Sequence, residues 1–211
     1  TEPLSQIRLR DVLPRPADYI SAFRLMAVPA IAFVVIVTVL RHSSNGMLGS
    51  FYVVYLNSIG MTGTVIGTLL AASSILGSVG SLTAGWFADR FSAFWVLVVS
   101  VSLAILCVTV TPLFSAFFIL LILSGLRGGF MGLSQPLLIS IMAKSAGRNQ
   151  GKGVGLRTTA NRVAVLVIPM IMGGVAEVFG IEASFYVTGG ILIAVLVWLA
   201  LRARSMLAPG T

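Results

Sequence analysis

Gly85-Trp-Phe-Ala-Asp89-Arg90-Phe-Ser-Ala93 sets one acid and one base between two apolar stretches, residues 64–86 and 93–111. A helix crosses a bilayer with about 20 mainly apolar residues, and each stretch meets that length. The charged pair is therefore a tight turn at a membrane surface, joining two antiparallel spans. Outward from it the same pattern holds. Asp89, Arg90 and Arg127 are the only charges between Arg41 and Lys144, and residues 183–201 hold none.

Composition agrees with this reading. Apolar residues make up 57% of the 211, and charged residues 9%. Soluble domains carry about 45–50% and about 25%, so a water-soluble globule is excluded. The net charge of +8 would suggest nucleic acid in a soluble protein, but that partner needs a basic face. Here the charges form short clusters between apolar runs, and no nucleic-acid partner is expected. Cys107 is the only cysteine, so no disulfide framework can form within the chain. The first 26 residues carry four Arg and lack the apolar core of a signal peptide. With Thr1 at the start, they read as a processed chain or a part of a longer polypeptide.

Six spans are predicted, near residues 27–56, 64–86, 93–111, 115–143, 153–177 and 183–201. They form one bundle over 27–201, preceded by a basic lead-in, 1–26, and followed by a tail, 202–211. Arg8, Arg10, Arg15, Arg24, Arg90, Lys144, Arg148, Lys152, Arg157, Arg202 and Arg204 fall on one side of these spans, and no Lys or Arg on the other. The positive-inside rule makes that side, and both termini, cytoplasmic. The expected location is a plasma membrane of the bacterial inner-membrane kind.

The chain also repeats itself. At an offset of 88, Gly63 and Gly67 meet Gly151 and Gly155, and Gly85-Trp-Phe-Ala88-Asp89-Arg-Phe91-Ser92 meets Gly173-Gly-Val-Ala176-Glu177-Val-Phe179-Gly180. At an offset of 86, Arg41 and Gly46 meet Arg127 and Gly132. Three spans separate the copies, so the repeats, about 27–111 and 115–201, are inverted in the membrane, a construction typical of secondary transporters.

On Gly85, Asp89 and Arg90, the loop resembles the signature G-x-x-x-D-R-x-G-R-R of the major facilitator superfamily. Ser92, Ala93 and Phe94 depart from its later Gly and basic positions. Leu123-Ser-Gly-Leu-Arg127-Gly-Gly-Phe-Met-Gly132 is similar to the fourth-helix pattern of that family. Pro169-Met-Ile-Met-Gly173-Gly174 is similar to its fifth-helix pattern, and Gly155-Leu-Arg-Thr-Thr-Ala-Asn-Arg162 to its eleventh helix. The resemblance implies an all-α fold of two six-helix halves, of which this chain supplies one. The basic lead-in and altered signature point to the C-terminal half. A natural half-size chain forming a homodimer is the alternative. It further implies a secondary active transporter, a symporter or antiporter, in which Gly85, Asp89 and Arg90 form a conformational switch loop.

Arg41, Arg127 and Arg162 lie inside the first, fourth and fifth spans. A charge at a helix centre costs roughly 2.5–3.5 kcal/mol on insertion scales, so none should face lipid. One account has them bonding carbonyls or acids of a second six-helix half, with Arg162 reaching the cytoplasmic interface. The functional account makes Arg41, His42, Asn45, Arg127, Gln135, Asn161 and Arg162 the lining of a substrate site. Guanidinium groups pair with carboxylate or phosphate, so a small anionic or zwitterionic solute is the expected cargo. His42 is the lone intramembrane group titrating near neutrality, and a proton relay there is the less favoured reading. Tyr52, Tyr55, Trp86, Trp95 and Trp198 read as interface anchors, and Gly77, Ser78, Gly80 and Ser81 as a close-packing stripe.

Enzyme chemistry finds no footing. There is one His and no H-E-x-x-H, and Gly147-Arg-Asn-Gln-Gly-Lys152-Gly is too short for a P-loop. No metal or other cofactor is expected, and no ion-channel filter is legible. A non-transporting scaffold subunit of a larger membrane assembly stands as the rival to transport. The expected partners are the lipid bilayer, the solute and a second six-helix half.

Overall fold

The computed structural model describes residues 24–146 and 150–207. The first 23 residues of the predicted lead-in, and Arg148 and the last residues of the tail, lie outside the described residues. The helices are α1 (Pro29–Met47), α2 (Val53–Ser58), α3 (Gly63–Arg90), α4 (Ala93–Thr109), α5 (Phe117–Ala146), α6 (Gln150–Phe179) and α7 (Ile181–Leu207). A π turn, Leu48–Tyr52, welds α1 to α2, so the two form the first span; α3 to α7 are the second to sixth. Six helices are long and apolar enough to cross a membrane, and this is an all-α integral membrane protein.

Local chemistry sets the ends. The first span stops at Gly60, whose φ of 83° is left-handed. There Met61 N–H bonds the Leu56 carbonyl and Gly60 N–H that of Asn57, the paired closure a glycine cap provides. Between α3 and α4, Phe91 is extended and Ser92 leads into the next helix. Asp89 and Arg90 therefore sit in the last turn of α3 itself, and Arg90 lies 4.9 Å from the Trp86 ring. The sixth span continues past the predicted 201 to Leu207, with Arg202 packed 4.7 Å from the Trp198 ring.

Packing follows the inverted repeat. The second span packs most extensively on the fourth, and the fifth on the first. The third packs on the fourth and the sixth on the first, while first meets fourth and third meets sixth. Exchanging the two repeats maps this pattern onto itself. The second and fifth spans, equivalent under that exchange, are also the least covered, with 17% and 11% of their apolar windows buried. The core lies between the first, third, fourth and sixth spans, around Ile31, Val34, Leu97, Ile105, Leu138 and Leu196.

The second and fourth spans approach until backbone meets backbone. A Cβ on Gly128 would overlap the Ser73 main chain, and one on Gly132 that of Gly77. The small residues read from the sequence as a packing stripe do pack this way, through Gly77 and Gly80. Pro136 lies within α5 and offers no N–H to the carbonyl one turn earlier. That carbonyl, of Gly132, accepts the Ser81 hydroxyl at 3.1 Å. The π turn of the first span, moved by the repeat offset of 86, falls on residues 134–138. Both central spans are thus irregular at equivalent levels.

The aromatic residues divide. Trp86, Trp95 and Trp198 are exposed on the bundle, but Tyr52 and Tyr55 are only 2% and 3% exposed. Tyr52 shares a 2.7 Å hydrogen bond with Ser124 of the fourth span, and the Tyr55 hydroxyl donates to the Pro112 carbonyl at 3.3 Å. These two tyrosines are internal ties, not interface anchors, because each hydroxyl finds a partner inside the bundle.

Candidate functional site

Helical spacing brings three stripes together, each carrying a polar group. The first span offers Arg41, Asn45 and Leu48, the second Leu70, Ser73, Ser74 and Gly77, and the fourth Arg127, Gly128, Met131 and Gly132. Residues three, four and seven apart share a helix face, so each stripe points one way. With Gly49 they line an open-sided cavity of about 420 Å³.

Two guanidinium groups dominate it. Arg41 is 7% exposed and Arg127 5%. Arg127 Nη2 donates to Asn45 Oδ1 at 2.6 Å and Nη1 to Ser73 Oγ at 3.2 Å, while its Nε is buried with no partner. Arg41 Nε donates to Ser134 Oγ at 2.9 Å and Nη2 to the Met131 carbonyl at 3.0 Å. The Ser134 hydroxyl in turn donates to that carbonyl at 2.8 Å. All four acceptors are neutral. Arg157 and Arg127 both bear electrostatically on Arg41, and the described carboxylates, Asp89, Glu177 and Glu182, are exposed near helix ends. The cavity wall is therefore strongly positive.

The sequence-predicted residues separate into two groups. Arg41, Asn45 and Arg127 come together on the cavity. His42 is half-buried beside Arg41 but one helical step round the first span. Gln135 is half-buried next to Pro136 in α5. Asn161 lies in the fifth span with a buried, unpartnered Oδ1, and Arg162 is exposed. None of these four is among the described residues lining the cavity. Gly85, Asp89 and Arg90 lie at the far end of α3, with Asp89 and Arg90 exposed.

Sequence reasoning missed Ser73 and Ser74. Ser73 carried a usable signal, because the 88-residue offset lays it on Asn161, a residue already singled out.

To two buried arginines on the central spans of an inverted repeat, around one cavity, direct comparison adds a family. The family model of the Major Facilitator Superfamily matches residues 34–209. The chain belongs to this superfamily. No curated protein matches it at a significant level. The superfamily is made up of transporters, and the six spans correspond to a six-helix half of its fold, built as two inverted three-helix repeats. In a major facilitator half the repeat exchange relates the first span to the fourth, the two that carry Arg41 and Arg127.

Proposed function

We propose that this chain is one half, the C-terminal one, of a secondary active transporter that moves a small anionic or zwitterionic solute by alternating access. The observation carrying the reading is the pair Arg41 and Arg127: two cations buried at mid-span, bonded only to neutral acceptors, on one cavity. Each would cost about 2.5–3.5 kcal/mol in lipid, and hydrogen bonds to amide, hydroxyl and carbonyl groups meet their directionality without cancelling their charge. A solute carboxylate or phosphate supplies the missing charge.

A second six-helix half would close the open side of the cavity. The least covered spans, the second and fifth, form the apolar surface available to it, whether it comes from the same polypeptide, a separate subunit or a second copy. The site then sits at the midplane between halves that rock about it. The turn at Asp89 and Arg90 serves as the conformational switch. The count of basic residues along the sequence supports cytoplasmic termini, and the membrane proposed is of the bacterial inner-membrane type.

The test is solute accumulation in vesicles by the paired assembly. Arg127→Ala should abolish it while the protein remains folded, and a mass measurement in mild detergent should show a species larger than the monomer. Unchanged accumulation in the variant would overturn the anion site. A wild-type assembly that accumulates no anionic or zwitterionic solute would favour the scaffold role.

A further inference from the structure

We propose that Asn45 is the residue that sets the charge selectivity of this cavity, by holding a neutral acceptor on Arg127 where a carboxylate would cancel its charge. The inference rests on the anion reading of the same site and deepens it. Asn45 Oδ1 stands 2.6 Å from Arg127 Nη2, slightly closer than the roughly 2.7–2.9 Å usual for a charge-assisted N–H···O bond. Asp is isosteric with Asn, so shape does not choose between them at this position. Charge does. An acid here would neutralise the guanidinium from within the chain, whereas the amide satisfies one N–H and leaves the positive charge standing.

The neighbours leave that charge standing too. Ser73 on Nη1 is neutral, as are both acceptors of Arg41. Arg127 Nε is buried without a partner. In a guanidinium, Nε and Nη2 share one edge, and that edge receives the two oxygens of a carboxylate in parallel. Rotation of the Asn45 side chain about its own bonds frees Nη2 beside the unpartnered Nε. Asn45 thus holds the edge when no ligand is bound and releases it to a carboxylate, which offers a second oxygen and a full charge. The ligand class is a small carboxylate, and the cavity, at about 420 Å³, is within the usual size of small-molecule sites.

The experiment uses the full chain in its native assembly in mild detergent, titrated with butyrate, with succinate, and with butyramide as the uncharged control. Wild type should bind the carboxylates and not butyramide. Asn45→Asp should weaken carboxylate binding on the order of a hundredfold and raise the midpoint of thermal unfolding without ligand. Ser73→Asp puts the acid on Nη1 of the same guanidinium and should weaken binding likewise, so the idea survives or falls even if one variant fails to fold. Wild-type carboxylate affinity in either folded Asp variant would overturn the role of Asn45 while leaving the anion site intact. Wild type that binds neither carboxylate would overturn both.

Discussion

Arg41 and Arg127 each donate to the residue one helical turn beyond the other. Arg127 Nη2 reaches the side chain of Asn45, four residues after Arg41, and Arg41 Nη2 reaches the carbonyl of Met131, four residues after Arg127. An exchange of inverted repeats demands this reciprocity, since the 86-residue offset lays Asn45 on Met131. The two acceptors nevertheless differ in kind. A main-chain carbonyl is fixed by its helix, but a side-chain amide can rotate. Through Nη2, Arg41 is therefore held to the fourth span by a fixed acceptor, and Arg127 to the first span by one that can turn away.

That difference separates two substitutions. Arg41→Gln removes two bonds from a charged donor that cross between spans, and should cost roughly 2 kcal/mol of stability. Arg127→Gln also removes two cross-span bonds, but with them goes a buried cation whose Nε has no partner, so the net cost should be smaller, about 1 kcal/mol or less, while carboxylate binding is lost. Thermal unfolding and succinate titration of both variants read this directly. A large stability loss in Arg127→Gln with binding intact would make Arg127 the structural partner instead.

The contact between second and fourth spans gives a sharper contrast. A Cβ on Gly132 would overlap the Gly77 backbone, whereas one on Gly129 meets nothing closer than the Leu76 carbonyl at 3.7 Å. Gly132→Ala should force the spans apart and destabilise by about 1–3 kcal/mol, with Ser73 drawn away from Arg127. Gly129→Ala should unfold close to wild type. Similar midpoints for the two variants would mean that the close approach is dispensable.

Much of this architecture was legible in the chain. Membrane length, the two repeat offsets and the pairing of Arg41 with Arg127 follow from apolar runs and from matched Arg and Gly positions. The facing of individual residues was less legible, because polarity marks a candidate without giving its angle. His42 follows Arg41 by one residue, about 100° round the helix, and so leaves the cavity face. Gln135 is eight residues from Arg127, beyond Gly132 and beside a proline that disturbs the helix. Tyr52 and Tyr55 resemble interface anchors until Ser124 and the Pro112 carbonyl are brought to them by folding. Ser73 and Ser74 were not legible as cavity residues, because a serine in an apolar helix usually bonds its own backbone, as Ser74 does to Leu70.

At the other end of α3, Asp89 is exposed in the last helical turn, close to the start of α4, where no side chain caps the exposed amides. A carboxylate stabilises such a helix start and is disfavoured at a helix end. If the switch reading holds, the balance between those effects differs between access states. Asp89→Asn should then shift the inward and outward populations by about 1 kcal/mol. Cysteine labelling on the two faces of the cavity measures the shift, and identical labelling in variant and wild type would exclude it.

The last expectation comes from a bond missing from an otherwise reciprocal set. Ser73 accepts from Arg127, and the repeat offset makes Asn161 the counterpart of Ser73 and Arg41 that of Arg127. Arg41 bonds Ser134 instead, and Asn161 Oδ1 is buried without a donor. An unsatisfied buried acceptor costs about 1–3 kcal/mol. A second arrangement in which Arg41 turns to Asn161 would complete the set, at the expense of its bond to Ser134. Asn161→Leu should therefore stabilise the present arrangement by about 1 kcal/mol, because it removes the orphaned oxygen, and should slow solute exchange, because it removes the acceptor of the other arrangement. Asn161→Ser, which restores the group found at the equivalent position, should keep exchange near the wild-type rate. Unfolding midpoints and vesicle exchange rates for the two variants decide it: a less stable Asn161→Leu that exchanges solute at the wild-type rate would show that Asn161 is bonded in the resting protein and takes no part in the transition.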